Sequence, residues 1–454
     1  MATTPDTGRA GAVLTDPAGD LADRVREAER QLAAGEPLQA FDELAAYVRA
    51  EVADRRTMRV LALALARAGA TDRAQALLEA LLAEAEDPDA LGVLARTWRD
   101  RWEWERDPER RRASLIRAND LYSQGFRGAQ ERGDLDAALY TGINAATTLL
   151  LLGHAADARD QAAMVRDLCR RRLEAGPDYW AQATLGEAAL VAGDLAEAEA
   201  HYLAAVRLAG SRYGDLGTTR RQARRLLEAL GMDAHVLDAA LRVPRVVVFA
   251  GHMVDRPGRE RPRFPAECEA AVRQAVADRL ERLDAGFGFS SAASGADLLF
   301  IEAMRERRAE VTVVLPCGRD SFRRESVAIR DDGAWGERFD RILAELPVVY
   351  AGEQSETAGP AAYRYANLLQ FGLGRLRADR LGTDLVGLAV WDGGPADGPA
   401  GTAAQIELWQ GRGARTEIVD LALIARAAAT GPARAPAGQA GDGAGDRPAG
   451  EFEQ

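Results

Sequence analysis

The stretch Arg245-Val246-Val247-Val248-Phe249-Ala250-Gly251 marks the point at which the character of the chain changes. It follows Pro244 and is an almost unbroken apolar run, rich in β-branched residues and closed by a glycine. A short run of this kind predicts a β-strand that is buried on both faces, as in a parallel sheet covered by helices. We therefore expect a boundary near Leu241–Pro244 between a helical half and a half that contains a sheet.

Downstream of this strand, short apolar runs alternate with amphipathic helical segments. Strands are predicted at 245–250, 286–290, 311–315, 348–350, 384–391 and 416–419, and helices at 266–283, 296–308, 335–346, 361–379 and 402–411. Strands that alternate with helices indicate a parallel sheet with helices on both faces. We expect a Rossmann-like, nucleotide-binding α/β domain over residues 243–425.

Upstream, residues 21–241 are rich in Ala, Leu, Arg and Glu, and their apolar residues recur at helical spacing. Turn glycines Gly35 and Gly69 lie 34 residues apart, the length of a tetratricopeptide repeat. After Gly193, Ala198, Tyr202 and Ala205 follow the repeat's alternation of small and large residues. We expect an all-α tetratricopeptide-like solenoid with a concave binding surface, so the whole chain is α+α/β and multidomain. An unrelated helical bundle is the alternative.

Composition excludes several functional classes. All 58 basic residues are Arg, so there is no lysine for a phosphate loop, a protein kinase or a Schiff base. The net charge of −12 argues against general nucleic-acid or anionic-membrane binding. Cys169, Cys268 and Cys317 are far apart and form no CxxC, and the histidines show no zinc-ligand spacing. We expect no metal site and no required cofactor.

The two ends of the chain lack periodicity. Residues 1–20 and 428–454 are rich in Gly, Ala, Pro and Asp, and we expect both segments to be disordered. The N-terminal segment shows no apolar core of a secretory signal. The longest apolar run is far shorter than the ~20 residues that span a bilayer. These patterns predict a cytoplasmic protein.

Small and polar residues follow three of the predicted strands, at the sheet edge where α/β proteins bind ligands. Backbone amides and helix N-termini at such loops favour phosphate groups, and an arginine-rich loop at 256–263 adds positive charge. The alternatives are a helix cap in the serine loop and a structural role for the histidine. The predicted ligand-binding residues are Gly251, His252, Arg256, Arg259, Arg263, Ser290, Ser291, Ser294, Gly295, Asp297, Asp392, Gly393, Gly401 and Thr402.

The strand ending in Gly251, the Ser-Ala-Ala-Ser-Gly-Ala-Asp loop at 291–297 and the Gly-Pro-Ala-Gly-Thr turn at 398–402 resemble the SLOG superfamily. This Rossmann-like group includes the DNA-processing protein of natural transformation and the cytokinin-activating phosphoribohydrolases. The turn is similar to the phosphoribohydrolase PGGxGT motif at Pro399, Gly401 and Thr402. The resemblance implies a nucleotide-derived ligand. It implies a catalytic Glu where this chain has Gln405, so we predict no catalytic residue.

The helical half, from about residue 85 to 210, is similar to the tetratricopeptide-like TRAF-binding region of MAP kinase kinase kinases, in its bacterial form. The carrying segments are 94–102, 122–126, 178–181 and, most specifically, the run Tyr140-Thr141-Gly142-Ile143-Asn144-Ala145-Ala146-Thr147. Bacteria also carry this region beside nucleotide-sensing or effector domains. The resemblance implies binding of a protein partner, and it implies no kinase activity.

Taken together, these patterns predict a sensor or adaptor. The Rossmann-like domain is expected to bind a nucleotide or nucleotide-derived ligand, and the helical repeats a protein partner. One alternative is N-glycosidic hydrolysis of a nucleoside monophosphate, with Glu407, Glu302 or Asp297 as the candidate carboxylates. The other is a scaffold that binds no ligand.

Overall fold

The structure, a computed structural model, describes residues 17–49, 53–329, 333–352, 359–395 and 400–430. The two segments predicted to be disordered lie mostly outside these ranges. Pro17–Asp20 and residues 428–430, which belong to those segments, are in helices. Contacts divide the chain into two units. The helical unit contains the residues up to Val246, with Asp284–Phe287 and Phe371–Leu385. The sheet unit contains Val247–Leu283, Gly288–Gln370 and the residues from Val386 onward.

The predicted fold class is confirmed, because helices alone precede Arg245 in the described residues and a parallel sheet with helices follows. No described helix is long and apolar enough to cross a membrane. The first eleven described helices are α1 (Pro17–Ala34), α2 (Pro37–Arg49), α3 (Arg55–Arg67), α4 (Thr71–Glu84), α5 (Pro88–Trp104), α6 (Pro108–Arg132), α7 (Leu135–Leu151), α8 (Ala155–Glu174), α9 (Tyr179–Ala192), α10 (Leu195–Ala209) and α11 (Tyr213–Ala229).

Aspartates set the start of many of these helices. Each accepts a hydrogen bond from a backbone N–H of the first turn, which satisfies one of the amides that a helix N-terminus leaves without a partner. The capping residues are Asp54, Asp87, Asp107, Asp134, Asp178 and Asp194. Gly133 and Gly193 end α6 and α9 in the left-handed conformation. The glycine-marked turns of the sequence are therefore real helix ends.

The small residues of the predicted repeat lie where paired helices cross. Gly186 of α9 faces Tyr202 of α10, and a Cβ at Gly186 would lie 2.6 Å from the Tyr202 ring. Ala198 and Ala205, on the same helix as Tyr202, are fully buried. The small and large residues that follow Gly193 in the sequence thus form the packing surface between α9 and α10. Consecutive helices pack throughout the array from α1 to α10.

Helix α11 lies along the inner face of this array. It packs against α1, α7, α9 and α10, while Asp215 lies 3.6 Å from Arg67 of α3 and Arg225 hydrogen-bonds Glu103 of α5. Five of these six helices, α1, α3, α5, α7 and α9, are the first members of the five helix pairs, and stacks of such pairs have a concave surface. The buried residues of α11 lie on all sides of the helix. The concave binding surface that the sequence predicts for the repeats is therefore occupied by α11 of the same chain.

The sheet of the described residues has six strands in the order β4-β3-β2-β1-β5-β6. The strands are β1 (Arg245–Gly251), β2 (Ala285–Ser290), β3 (Glu310–Leu315), β4 (Val348–Tyr350), β5 (Leu385–Trp391) and β6 (Arg415–Asp420). The remaining α-helices are α12 (Glu269–Leu283), α13 (Ala296–Glu306), α14 (Arg319–Phe322), α15 (Ala334–Glu345), α16 (Pro360–Leu381), α17 (Thr402–Gly411) and α18 (Leu421–Thr430). The strand order reverses between β1 and β5, which makes their carboxyl ends the topological switch point.

Candidate functional site

A histidine and an aspartate, which follow the two central strands, contact each other at the switch point. His252 follows β1, and its Nε2 lies 3.0 Å from Oδ1 of Asp392, which follows β5. Arg263 donates two hydrogen bonds to the same carboxylate, of 2.7 and 2.8 Å. The hydrogen bond from Arg263, assisted by the Gly394 amide and His252, holds the pKa of Asp392 well below its usual range. Asp392 is therefore a fixed negative charge at the centre of the edge.

Two of the four arginines in the arginine-rich loop contact carboxylates of the same unit. Arg263 is bound to Asp392, and its backbone N–H donates to Asp255 at 2.9 Å. Arg259 lies 3.5 Å from Asp255 and donates to the carbonyl of Arg261. Arg256 is exposed. Half of the arginines in the predicted anion-binding loop therefore stabilise the loop itself, through contacts with Asp255 and Asp392.

Two glycines allow the loops after β1 and β2 to touch. The N–H of Val254 donates to Ser294, and the N–H of Ala296 donates to His252, each at 3.1 Å. Gly295 adopts a φ of +104°, and a Cβ there would lie 2.5 Å from the nitrogen of Val254. A Cβ at Gly251 would overlap that of Ala296. Glycine is needed at both positions because the backbones approach so closely.

The serine loop contributes one hydroxyl without a hydrogen-bond partner in the described ranges and one carboxyl with a raised pKa to this end of the sheet. Ser290, the last residue of β2, is fully buried, and its Oγ has no hydrogen-bond partner among the described residues. Ser294 donates to the carbonyl of Ser326 at 3.1 Å, and Ser291 is half-buried. Burial raises the pKa of Asp297 to about 7, although it accepts the Ala293 N–H at 3.2 Å.

The third predicted loop is described only in part. Gly393 has a φ of +80°, and the N–H of Gly394 donates to Asp392 at 2.9 Å. Residues 396–399 lie outside the described ranges, and Pro399 of the predicted motif lies among them. Gly401 is the N-cap of α17, and Thr402 is its first, buried residue. Helix α17 therefore begins at this end of the sheet, as α13 does after the serine loop.

The carboxylates weighed for hydrolysis have different surroundings. Arg338 donates to both oxygens of Glu302, at 2.7 and 2.6 Å, so that this carboxylate is neutralised by an ion pair. Glu407 is exposed on α17. Gln405 stands where the resemblance implies a catalytic Glu, and its Oε1 is buried without a partner among the described residues. Asp297 is the candidate whose proton affinity suits transfer at neutral pH.

Sequence reasoning missed two side chains of α16 that support this edge. Gln370 donates to the carbonyls of Phe249 and Phe289, at 2.7 and 3.0 Å, and so joins β1 to β2. Asn367 donates to the carbonyl of Ala400 at 3.0 Å, just before α17. The two residues are three apart on one helix face. That spacing was the available signal, but it is common on any helix.

The helical unit holds a buried polar cluster that the sequence did not indicate. Arg99 of α5 donates to Asn144 of α7 at 2.8 Å and to Gln222 of α11 at 3.4 Å. Glu187 of α9 is buried nearby, and burial raises its pKa to about 7 while the charge of Arg99 lowers it. These contacts tie α11 to the helices that it crosses. The described residues contain no group of three His, Cys, Asp or Glu side chains that could hold a metal ion.

Comparison with known proteins supports the helical repeats. Residues 34–150 match the model of the family described as Tetratricopeptide Repeats-Sensor. This match covers α2 to most of α7, including the run 140–147. The TRAF-binding and SLOG resemblances remain predictions. No curated protein matches this chain. In its helical region, this chain is similar to the Tetratricopeptide Repeats-Sensor family.

Proposed function

We propose that this protein is a sensor or adaptor, in which the sheet unit binds a nucleotide-like ligand and the helical unit binds a protein partner. The description of the matching repeat family as a sensor supports the general role. Repeats of this type commonly bind other proteins. The ligand, taken from the SLOG resemblance, is a phosphate-bearing nucleotide or nucleotide derivative.

The buried Ser290 hydroxyl is the observation that carries the ligand proposal. A buried hydroxyl without a partner destabilises a protein by about 1–3 kcal/mol, and Ser290 is such a group at the carboxyl end of β2. A ligand or a water satisfies most such groups, and among the buried unpaired atoms of the described residues Ser290 is the one that ends a strand. The loops at Gly251, Gly295 and Gly401 bring backbone amides and two helix N-termini to this edge. A phosphate favours these surroundings.

Isothermal titration calorimetry with nucleoside monophosphates, nucleoside diphosphates and ribose 5-phosphate tests this proposal. We expect one of these classes to bind, and we expect Ser290→Ala to weaken that binding about tenfold. Thr416→Val is the matched control because Thr416 lies at the amino end of β6, at the opposite edge of the sheet. Absence of binding by all three classes would favour the scaffold alternative. An equal loss in the control would show that Ser290 does not contact ligand.

A second candidate function is the N-glycosidic hydrolysis of a nucleoside monophosphate. Asp297 favours it, because a buried carboxyl with a pKa of about 7 can exchange protons at neutral pH. Gln405 argues against it, since an amide cannot act as an acid or base there. Incubation with nucleoside monophosphates and chromatography for free base decides between them. Base release that Asp297→Asn abolishes would make the protein an enzyme, and intact nucleotide would support the sensor.

A further inference from the structure

Helices α5 and α6 form a groove between the end of α5 and the start of α6. They have 17 and 25 residues, against 13 and 14 for α3 and α4 and 17 and 20 for α7 and α8. The groove has a volume of about 630 Å³. We call this the α5–α6 groove. It is lined by Trp98, Arg101, Trp104, Glu105, Arg110, Ala113, Ser114 and Arg117.

Tryptophan side chains give the groove an apolar surface in contact with solvent. Trp104 is 84% exposed at the last position of α5. The Arg101 guanidinium lies over the ring of Trp98, 5.0 Å from its centroid, and holds that ring in place. Tryptophan is among the residues that contribute most to binding energy at protein interfaces. An indole this exposed is a large apolar area that a bound partner would remove from water.

The α6 side of the groove carries two arginines with two small residues between them. Arg110, Ala113, Ser114 and Arg117 are spaced so that they share one face of α6. Both arginines are exposed. Glu105 is the one carboxylate of the lining, and its Oε1 accepts two backbone N–H groups of the α5–α6 loop. The groove is therefore positively charged although the chain as a whole carries −12.

We infer that the α5–α6 groove docks an acidic segment of a partner protein, with an apolar side chain of that segment on Trp104. The inference rests on the proposed function, for which it supplies the partner surface. Carboxylates complement Arg110 and Arg117, and the small residues between them leave room for a peptide backbone. The concave face of the repeats cannot take this role while α11 lies in it.

Fluorescence anisotropy with the full chain tests this inference directly. The probe is a labelled peptide that alternates Glu with Phe, compared with the same peptide in which every Glu is Gln. We expect the acidic peptide to bind and the neutral one to bind about tenfold more weakly. Trp104→Ala and Arg110→Glu/Arg117→Glu should each raise the dissociation constant about tenfold or more. Arg112→Glu/Arg127→Glu, an equal charge change at exposed sites of α6 outside the groove lining, should leave it unchanged.

Several results would overturn this assignment. Equal binding of the neutral peptide, or unchanged binding by both groove variants, would show that the groove does not recognise acidic segments. Tighter binding of a single-stranded oligonucleotide would assign the groove to nucleic acid. Self-association in sedimentation that Trp104→Ala abolishes would assign it to a second copy of this chain.

The two proposals fail separately. Nucleotide binding without peptide binding would leave the sensor in place and remove only its proposed docking surface. Peptide binding that depends on Trp104, without binding of any nucleotide, would retain the docking surface and remove the ligand proposal.

Discussion

His252 and Asp392 meet across the switch point of the sheet, with Nε2 of the histidine 3.0 Å from Oδ1 of the aspartate. The two residues are 140 positions apart in sequence, yet they follow strands β1 and β5, which are neighbours in the sheet. Arg263 completes the arrangement through its two hydrogen bonds to Asp392. The candidate ligand edge thus has a charged centre whose members hold one another in position.

We expect Asp392→Asn to destabilise the sheet unit by about 2 kcal/mol, because it leaves the largely buried Arg263 without its carboxylate. The depressed pKa of Asp392 adds a pH dependence: the stabilisation is present above the ordinary carboxyl pKa and is lost as the pH falls. Urea unfolding measures both effects. Asp384→Asn is the control, since Asp384 is 75% exposed in its pair with Arg245. A double-mutant cycle with Arg263→Gln that shows no coupling would contradict this prediction.

Glu187 should make the helical unit less stable at alkaline than at acidic pH. Its pKa is about 7 in the folded protein against 4.5 for an ordinary Glu, so the folded state binds more protons between these values. Stability therefore falls as the pH rises through this window, by on the order of 3 kcal/mol. Glu187→Gln should remove this dependence and raise the urea midpoint at pH ~8 but not at pH ~4. An unchanged pH profile would show that Glu187 titrates normally.

Gly214→Ala should loosen α11 from the helical array. A Cβ at this position would lie 2.5 Å from Cα of Gly35 and 2.8 Å from the carbonyl oxygen of Ala33. Both neighbours are backbone atoms, so we expect a loss of about 2–3 kcal/mol. Gly372→Ala is the matched control, because Gly372 lies inside α16 with nothing within 4 Å of a Cβ. The control should gain up to ~1 kcal/mol from helix propensity, and a similar gain for Gly214→Ala would contradict the close packing.

If a phosphate-bearing ligand binds near Asp297, the affinity of the protein for that ligand should fall as the pH rises through about 7, the pKa of this carboxyl. The reason is that Asp297 becomes negatively charged in this range and repels the ligand. Calorimetry with the tightest nucleotide across this range measures the effect. Asp297→Asn should give a flatter profile, because the amide does not titrate. An unaltered profile in this variant would assign the pH dependence to another group.

The sequence predicted the strands well because each is a short apolar run bounded by turn residues. The predicted strand 348–350 and helix 402–411 agree with the structure at both ends. The short helix α14 and the π-helical turn Arg323–Val327 were not predicted. Their residues, rich in Arg and Ser, show no helical spacing of apolar side chains. Tertiary contacts such as that between Ser326 and Ser294 hold this segment instead.

The proximity of the candidate site residues was predicted, but their individual contacts were not. Glycines and small polar residues after strands predicted that these residues lie together, and the structure brings them together because parallel strands end at the same side of a sheet. The pairing of Arg263 with Asp392 was not predictable, since the two lie 129 positions apart. The roles of Asn367 and Gln370 were hidden for the same reason. The sequence shows which residues are charged, but it does not show which carboxylate each arginine contacts.

Helix α11 has a consequence for any peptide that would use the inner face of the repeats. Because α11 belongs to the same chain, it competes at an effective local concentration on the order of millimolar, independent of how much protein is present. A peptide in solution must bind tightly enough to overcome this tethered competitor. A peptide that binds more weakly than α11 would not displace it from these helices.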